Sequence, residues 1–296
     1  MTIRVLITGV SGFLGWHLFH HLSPRFSVTG TYSRHRPQLS GAAAERLDLK
    51  DPAATGKIFS RLSPEVVIHC AAVTSPAACL ADPELTREVN IAGTESIARA
   101  AQIAGTRMIY ISTDRVFDGK QGNYRETDTP RPLGPYGQSK LIGEELVRKI
   151  VPEHLILRLP LMYGSASPFS GSFLEFMRKG FLGHTTLDLF LDQYRTPLYV
   201  ADAGRGVKLI LERPELQGLY HLGGSERINR VDFGYRMAKV FNYNPAVINP
   251  VRMADLPHYP PTPLDASLNS DLFFQATGFR GRGVMEGLTA MSEGIG

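Results

Sequence analysis

The N-terminal half of the chain alternates short apolar runs with segments of helical periodicity. Residues 3–9 form an apolar run closed by glycine, which predicts a buried strand, and residues 13–22 space their large apolar side chains at helical intervals. Further apolar runs predict strands at 26–32, 45–49, 64–73, 106–114 and 154–160, with helices over 83–104 and 137–150. Continuous apolar strands that alternate with helices are typical of a doubly wound parallel sheet. The predicted fold class is therefore α/β, with ligands at the carboxyl ends of the strands.

The pattern changes after Pro160. Stretches rich in Gly, Ser and Pro separate short helices predicted near 172–180, 201–212 and 230–241. We expect residues 161–296 to form mainly a smaller substrate-binding lobe that closes a cleft against the domain of residues 1–160. This boundary is soft, because late strands can return to the main sheet. Tyr259, within a proline-rich stretch, fits either a lid over the cleft or a linker.

Composition and charge narrow the functional class. The chain has 296 residues, a formal net charge of +4 and a pI near 9.1. Its Lys and Arg residues form no concentrated block, so we expect no nucleic-acid partner, whereas an anionic small molecule suits the mild positive charge. The N-terminus lacks a signal-peptide layout and no apolar stretch is long enough to span a bilayer. With two cysteines, Cys70 and Cys79, these features favour a cytoplasmic protein, monomeric or homodimeric, without membrane contact.

A glycine-rich loop joins the first predicted strand to the first helix. Gly9, Gly12 and Gly15 lie in TGVSGFLG, with the spacing G-x-x-G-x-x-G. Such a loop turns tightly, lets a pyrophosphate approach the backbone and presents the N–H groups of the following helix. The position of this triplet favours a Rossmann-type NAD(P)-binding domain over an unliganded turn.

The end of the second predicted strand bears on the choice between NAD and NADP. An acidic residue there binds the ribose 2′-hydroxyl, whereas Arg accommodates a 2′-phosphate. This chain has Ser33, Arg34 and Arg36 and no acid, which favours NADP(H), with Arg34 the stronger candidate; the alternative is that both arginines only solvate a loop. Asp48 fits either a contact with the adenine amino group or a cap of the next helix.

Polar side chains cluster at the end of the fifth predicted strand and the start of the next helix. Ser112, Thr113 and Asp114 end the strand, while Tyr136 and Lys140 lie one helical turn apart, on one face. A nearby ammonium, together with the positive nicotinamide of an oxidised cofactor, lowers the pKa of a phenol toward neutrality, so Tyr136 can act as a general acid. A hydroxyl such as Thr113 can hold the substrate oxygen against the phenol. This set predicts reduction of a carbonyl.

Long segments of the chain resemble the extended short-chain dehydrogenase/reductase superfamily, in particular its dTDP-4-dehydrorhamnose reductase-like branch. The resemblance rests on TGVSGFLG, PEVVIHCAAVT, EVNIAGTESIARAA, STDRVFDGKQGNYRETDTPRPLGPYGQSKLIGEE, LRLPLMYG, RTPLYVADAG and GLYHLGG. It implies a Thr113–Tyr136–Lys140 triad in which Lys140 also binds the nicotinamide ribose. The candidate cofactor-binding residues are Gly9, Ser11, Gly12, Phe13, Leu14, Gly15, Ser33, Arg34, Arg36, Asp48, Leu49, Ala71, Ala72, Val73, Tyr136 and Lys140. The candidate substrate-binding residues are Thr74, Asn90, Thr113, Asp114, Val116, Phe117, Tyr136 and Arg195.

Two positions bear on the type of sugar chemistry. Related sugar-nucleotide dehydratases read Thr-Asp-Glu where this chain has Arg115 after Asp114, so the second acid is missing and dehydration is disfavoured. The reductases commonly carry Tyr at that position, and they commonly carry an Asp-Lys pair after the fourth strand that is absent here. Arg195 resembles the Arg that binds the diphosphate in related epimerases, the alternative being an ion pair with Asp192 or Asp202.

These features predict an NADPH-dependent reductase of a nucleotide-activated 4-keto-6-deoxy sugar, of the dTDP-rhamnose type. One alternative is a nucleotide-sugar 4-epimerase that retains a tightly bound NAD. Another is a non-catalytic NADP-binding regulator, because the β subunit of methionine adenosyltransferase resembles the same branch. No metal is expected: His17 and His21 have the spacing of metal ligands on a helix, but a packed or exposed pair is the better interpretation.

Overall fold

The structure, a computed structural model, describes residues 2–39, 44–256 and 260–294. Tyr259, predicted as part of a lid or linker, lies outside these residues. The strands are β1 (Arg4–Thr8), β2 (Ser27–Tyr32), β3 (Ala44–Arg46), β4 (Val66–His69), β5 (Arg107–Thr113), β6 (His154–Leu159), β7 (Met162–Tyr163), β8 (Leu187–Phe190), β9 (Tyr194–Arg195), β10 (Leu198–Tyr199), β11 (Gly218–His221), β12 (Ile228–Asn229) and β13 (Ile248–Val251). The α-helices are α1 (Phe13–Leu22), α2 (Pro52–Leu62), α3 (Pro76–Ala81), α4 (Pro83–Thr86), α5 (Gly93–Ala104), α6 (Pro135–Ile150), α7 (Phe173–Leu182), α8 (Val200–Glu212), α9 (Arg230–Phe241), α10 (Asp271–Thr277) and α11 (Val284–Ser292).

The main sheet has the order β3-β2-β1-β4-β5-β6-β11 within the described part of the chain, and its neighbouring strands are parallel. The strand order reverses between β1 and β4. In a doubly wound sheet the crevice at such a reversal, outside the carboxyl ends of the strands, is where ligands bind. The predicted α/β doubly wound sheet of the Rossmann type is confirmed.

Apolar side chains cover both faces of this sheet. Val5, Ile7 and Ile68 belong to a core cluster that includes α1 and α8, whereas Leu6 and Val67 belong to a second cluster with α2, α5 and α6. Successive residues of a strand point to opposite faces, so a strand buried on both faces has to be apolar throughout. Each such aliphatic side chain contributes roughly 1.5–3 kcal/mol on burial.

The C-terminal half is joined to the sheet as well as to its own small strand pairs. β11 adds to the main sheet beside β6, and α8 packs against α1. The pairs β7–β10, β8–β13 and β9–β12 lie outside the main sheet. The division at residue 160 therefore stays a prediction, and at least one late strand returns to the first unit.

Three predicted elements differ from the observed ones in their bounds. Residues 83–104 are helical throughout, but a π-helical turn at Arg87–Ala92 separates α4 from α5. Helix α6 begins at Pro135 rather than near residue 137, since proline is favoured in the first helical turn. The third strand is β3, and Leu47 and Leu49 are buried just beyond it. No described helix is both long and apolar enough to cross a membrane.

Candidate active site

The glycine loop between β1 and α1 is shaped by two close backbone approaches. Gly9 has φ +76°, and a Cβ there would lie 2.8 Å from the Cα of Ala71. A Cβ at Gly15 would lie 2.3 Å from the carbonyl oxygen of Gly9, so helix α1 can pack this close only without one. Gly12 is the N-cap of α1 and brings no capping side chain. The first N–H groups of the helix are therefore left for a ligand.

A cavity of about 680 Å³ opens at this loop, at the carboxyl ends of the central strands. The predicted cofactor residues that line it are Gly9, Ser11, Gly12, Phe13, Leu14, Gly15, Ser33, Arg34, Asp48, Leu49, Ala71, Ala72, Val73, Tyr136 and Lys140. Arg36 is not among its lining residues, although Arg34 is. The glycine loop, the end of β2 and the predicted triad thus share one cavity.

One side of the cavity is bounded by the segment after β2. The His35 and Phe169 rings stack at 5.4 Å between centroids, which brings the segment after β2 against the loop before α7. Asp48 lines the cavity and accepts a hydrogen bond from the Lys50 N–H at 3.0 Å. The alternative that Asp48 caps the next helix is wrong, because Asp51 is the N-cap of α2.

Thr113, Tyr136 and Lys140 line this same cavity. The Thr113 hydroxyl donates to Asp114 Oδ1 at 3.1 Å and accepts from the Arg115 N–H at 3.2 Å. Lys140 is buried, with its Nζ 3.9 Å from the centroid of the Tyr110 ring. Because α6 begins at Pro135, Tyr136 lies in its first turn and Lys140 follows one turn later.

Burial sets the protonation of both groups in the cofactor-free protein. It raises the pKa of Tyr136 to about 12, against the opposing effects of the Arg115 charge and the Thr113 hydroxyl. It lowers the pKa of Lys140 to about 7, although the negative charge of Glu144 favours the ammonium form. Tyr136 is therefore a phenol at neutral pH, and Lys140 titrates near neutrality.

Five predicted substrate residues are not among the lining residues of this cavity: Asn90, Asp114, Val116, Phe117 and Arg195. Asn90 accepts from the Val73 N–H at 2.7 Å and donates to the Ser139 hydroxyl at 3.0 Å, so it holds the segment after β4 against α6. Val116 and Phe117 are fully buried in a separate cluster, where the Phe117 ring stacks on Tyr124. The structure does not bring these side chains to the cavity, because the turn after β5 directs them into the core. Thr74 does line the cavity.

Arg195 and Asp114 form a buried ion pair. Arg195 Nε lies 3.1 Å from Asp114 Oδ2, and both side chains are at most 5% exposed. The guanidinium also donates to the carbonyl oxygens of Tyr194, Pro263 and Leu264. An ion pair was the alternative to diphosphate binding, and the structure shows one with Asp114 rather than with the expected Asp192 or Asp202.

A second, smaller pocket of about 110 Å³ shares Tyr136 with the large cavity. The residues that line it are Pro76, Leu80, Arg115, Leu133, Gly134, Pro135, Tyr136, Gly137, Pro260, Pro261 and Pro263. Tyr136 thus lies between the cofactor-sized cavity and a mostly apolar recess.

Sequence reasoning missed several lining residues of the large cavity. They include Tyr32, His35, Cys70, Leu159, Pro160, Met162 and Phe173. Leu159 and Pro160 end the sixth predicted strand and Met162 lies just after it, so the rule that ligands lie at strand ends could have found them. His17 bonds through Nε2 to the Ser165 carbonyl oxygen at 2.9 Å, and His21 packs beside Gly204 of α8.

Comparison with known proteins identifies the family. The sequence profile of the RmlD substrate binding domain matches residues 3–295. The chain belongs to this family. The expected place of the RmlD-family chain, in the dTDP-4-dehydrorhamnose reductase-like branch of the extended short-chain dehydrogenase/reductases, is confirmed.

Relatives of this RmlD-family chain include reductases and the beta subunit of a methionine adenosyltransferase. It is 34% identical over 255 residues to methionine adenosyltransferase 2 subunit beta of Xenopus laevis, covering 84% of this chain and 75% of that protein. It is 29% identical over 272 residues to dTDP-4-dehydrorhamnose reductase of Mycobacterium tuberculosis, covering 90% and 85%. The crystal structure of dTDP-4-dehydrorhamnose reductase from Bacillus anthracis, in complex with NADP, matches with a TM-score of 0.88 and 25% identity over 99% of this chain and all of that one. The predicted enzyme class, NAD(P)-dependent oxidoreductases, is confirmed at the level of the family.

Proposed function

We propose that this protein is an NADPH-dependent reductase of a nucleotide-activated 4-keto-6-deoxy sugar, of the kind that yields dTDP-rhamnose. The observation that carries the proposal is the shared cavity. It is lined by the glycine loop, by Ser33 and Arg34 at the end of β2, and by Thr113, Tyr136 and Lys140. The glycine loop and the end of β2 suit a phosphorylated dinucleotide. The set of Thr113, Tyr136 and Lys140 suits proton transfer to a carbonyl.

The residues present fit a nicotinamide dinucleotide. The crowding that excludes a Cβ at Gly9 and Gly15 leaves the backbone exposed where a pyrophosphate lies against the N-terminus of α1. Arg34 and Ser33 would hold a 2′-phosphate, and Lys140 the nicotinamide ribose. When bound, NADPH supplies a hydride to the carbonyl carbon of the substrate.

The chain's own residues supply the proton. Tyr136 donates its phenolic proton to the carbonyl oxygen, so that carbonyl, hydride and proton together give the alcohol. Its burial keeps the phenol protonated until that step. We expect Lys140, one helical turn away, to stabilise the remaining phenolate when it is in its ammonium form. Asp114 and the Arg115 N–H fix the Thr113 hydroxyl. That hydroxyl orients the Tyr136 oxygen and the substrate carbonyl oxygen, between which the proton passes.

A stoichiometric assay tests this function. Mixing the protein with NADPH and a dTDP-4-keto-6-deoxy sugar should consume one nicotinamide per sugar reduced, read from the absorbance of the reduced nicotinamide. Tyr136→Phe should lower kcat by roughly 10²–10⁴-fold while leaving NADPH affinity nearly unchanged. Full activity of Tyr136→Phe would remove the assigned role. Product without net NADPH oxidation would instead support the epimerase alternative.

A second candidate function is favoured by one comparison. The identity of 34% to methionine adenosyltransferase 2 subunit beta supports an NADP-binding partner protein. The co-located Thr113, Tyr136 and Lys140 support catalysis instead, because a binding role needs no proton donor at the cavity. Tight NADPH binding without turnover of any dTDP-4-keto sugar would support the regulatory role.

Under the reductase proposal, the protein is cytoplasmic and is a monomer or a homodimer. Its substrate is a nucleotide sugar.

A further inference from the structure

Arg115 presents a guanidinium beside the proposed proton donor. It follows Asp114 in the short 3₁₀ turn after β5, is half-buried and lines the small pocket that shares Tyr136 with the large cavity. Its Nη1 donates to the Thr262 hydroxyl at 3.4 Å, a long hydrogen bond. Among the described residues no carboxylate lies within ion-pair distance of Arg115.

Other arginines near the site are differently placed. Arg195 is neutralised by Asp114, and Arg158 by Glu144 at 2.6 Å, both in fully buried pairs. A buried guanidinium paired in this way has little capacity for another anion, since breaking such a pair leaves an uncompensated buried charge. Unlike Arg158 and Arg195, Arg115 is positioned to receive an anion from outside the chain, at the small pocket beside Tyr136.

The small pocket suits an anionic group of limited size. Its volume of about 110 Å³ equals roughly three to four water molecules in the liquid, which is about the size of a carboxylate or phosphate group. Apart from Arg115 and Tyr136, its described lining consists of proline, leucine and glycine residues. Such walls offer few partners to sugar hydroxyls, whereas a guanidinium in a mostly apolar recess binds a planar or tetrahedral oxyanion strongly.

We propose that Arg115 binds an anionic oxygen group of the substrate, a carboxylate or a phosphate, in the small pocket beside Tyr136. The proposal rests on the proposed function, because it takes Tyr136 as the residue that contacts the substrate carbonyl. The anion belongs either to the diphosphate bridge of a nucleotide sugar or to an acidic substituent on the sugar. In both cases Arg115 determines specificity at the position where related reductases commonly have Tyr.

Binding measurements on NADP⁺-loaded protein distinguish these sources. The probes are dTDP, dTDP-glucose and dTDP-glucuronate, titrated calorimetrically into the wild type, Arg115→Gln and Arg115→Tyr. Loss of a charge-assisted hydrogen-bonded contact should weaken binding by roughly 10- to 100-fold. An equal loss of affinity for all three probes identifies the diphosphate as the group that Arg115 binds. Weakening of dTDP-glucuronate alone identifies a sugar carboxylate.

Arg131→Gln is the matched control, because Arg131 is an exposed arginine before α6 that does not line the pocket. It should leave all three affinities unchanged. NADP⁺ affinity checks that each variant is folded, and Arg115→Tyr carries the residue common in the related reductases. Unchanged affinities in both Arg115 variants would overturn the anion site and leave the reductase proposal standing. Full turnover by Tyr136→Phe would remove the reductase proposal while leaving the binding result intact.

Discussion

At the scale of single residues, Arg34 and Arg36 show how finely position matters after β2. Arg34 lines the large cavity, while Arg36, two residues later, is not among its described lining residues. Successive side chains of an extended segment alternate in direction, but two residues of a turning loop need not share a face. The sequence favoured Arg34, and its place in the cavity supports Arg34 rather than Arg36 as the arginine that binds a 2′-phosphate.

Arg34→Ala should therefore weaken NADPH binding by roughly 10- to 100-fold, since a hydrogen bond to a phosphate is charge-assisted. NADH affinity should stay within about twofold of the wild type, because NADH has no 2′-phosphate. Fluorescence titrations of both cofactors measure this, with Arg36→Ala as the control that retains the preference. An unchanged ratio of the two affinities in Arg34→Ala contradicts the assignment.

Residue roles that depend on local sequence could be predicted, and those that depend on distant contacts could not. Tyr136 and Lys140 are one helical turn apart, so their shared face follows from helix geometry. The partner of Arg195 is Asp114, from a strand end far away in sequence. Val116 lies two residues after Asp114, and its side chain is fully buried in an apolar cluster with Phe117. That direction depends on the packing around the turn, which no local pattern encodes.

At the scale of elements, the glycine loop couples the start of α1 to the end of β1. The role of the glycine spacing could be predicted from the sequence, because each glycine meets a local steric requirement. Gly9 adopts a left-handed backbone conformation, and Gly15 allows a close backbone approach. The π-helical turn at Arg87–Ala92 could not be predicted from the sequence. It places Asn90 where its amide can hold the Val73 backbone, and that contact joins segments from different parts of the chain.

Gly15→Ala should reduce both stability and cofactor affinity. The new Cβ would lie 2.3 Å from the Gly9 carbonyl oxygen, so α1 has to move away from the loop that faces the cavity. Gly56→Ala is the control, because a Cβ at this position of α2 meets no atom within 4 Å. The control should gain roughly 0.5–1 kcal/mol from helix propensity. Urea unfolding and NADPH titration measure both effects, and wild-type affinity in Gly15→Ala would contradict this account.

At the scale of the whole molecule, the active site is a cost to folding. Lys140 is 3% exposed, within a helix that covers one face of the central sheet. The fold could be predicted from the period of its apolar residues. The sequence also indicated that a late strand could return to the main sheet, but not that β11 would be that strand. The buried ammonium of Lys140 does not stabilise the fold, because burying a charged group that has no ion-pair partner in the described part of the chain costs free energy. We therefore expect Lys140 to be retained for chemistry.

Lys140→Met should stabilise the cofactor-free protein at neutral pH. The folded-state pKa of Lys140 is lowered from 10.5 to about 7, so between these values the unfolded chain binds a proton that the folded chain does not. Stability of the wild type consequently rises with pH across this window. Relative to the wild type, the variant should gain roughly 1–3 kcal/mol at pH 7 and below, and the gain should shrink as the pH rises toward 10.5.

Urea unfolding at several pH values checks this, with Lys57→Met as the control because Lys57 is exposed on α2. The control should change stability by no more than about 0.5 kcal/mol at any pH. A gain in Lys140→Met that is the same at every pH would mean that the substitution acts through packing rather than charge. A gain that grows with pH would mean that the folded protein favours the ammonium, which reverses the sign of the proposed cost. With the expected result, Lys140, the residue proposed to stabilise the Tyr136 phenolate, is also one that the fold would be more stable without.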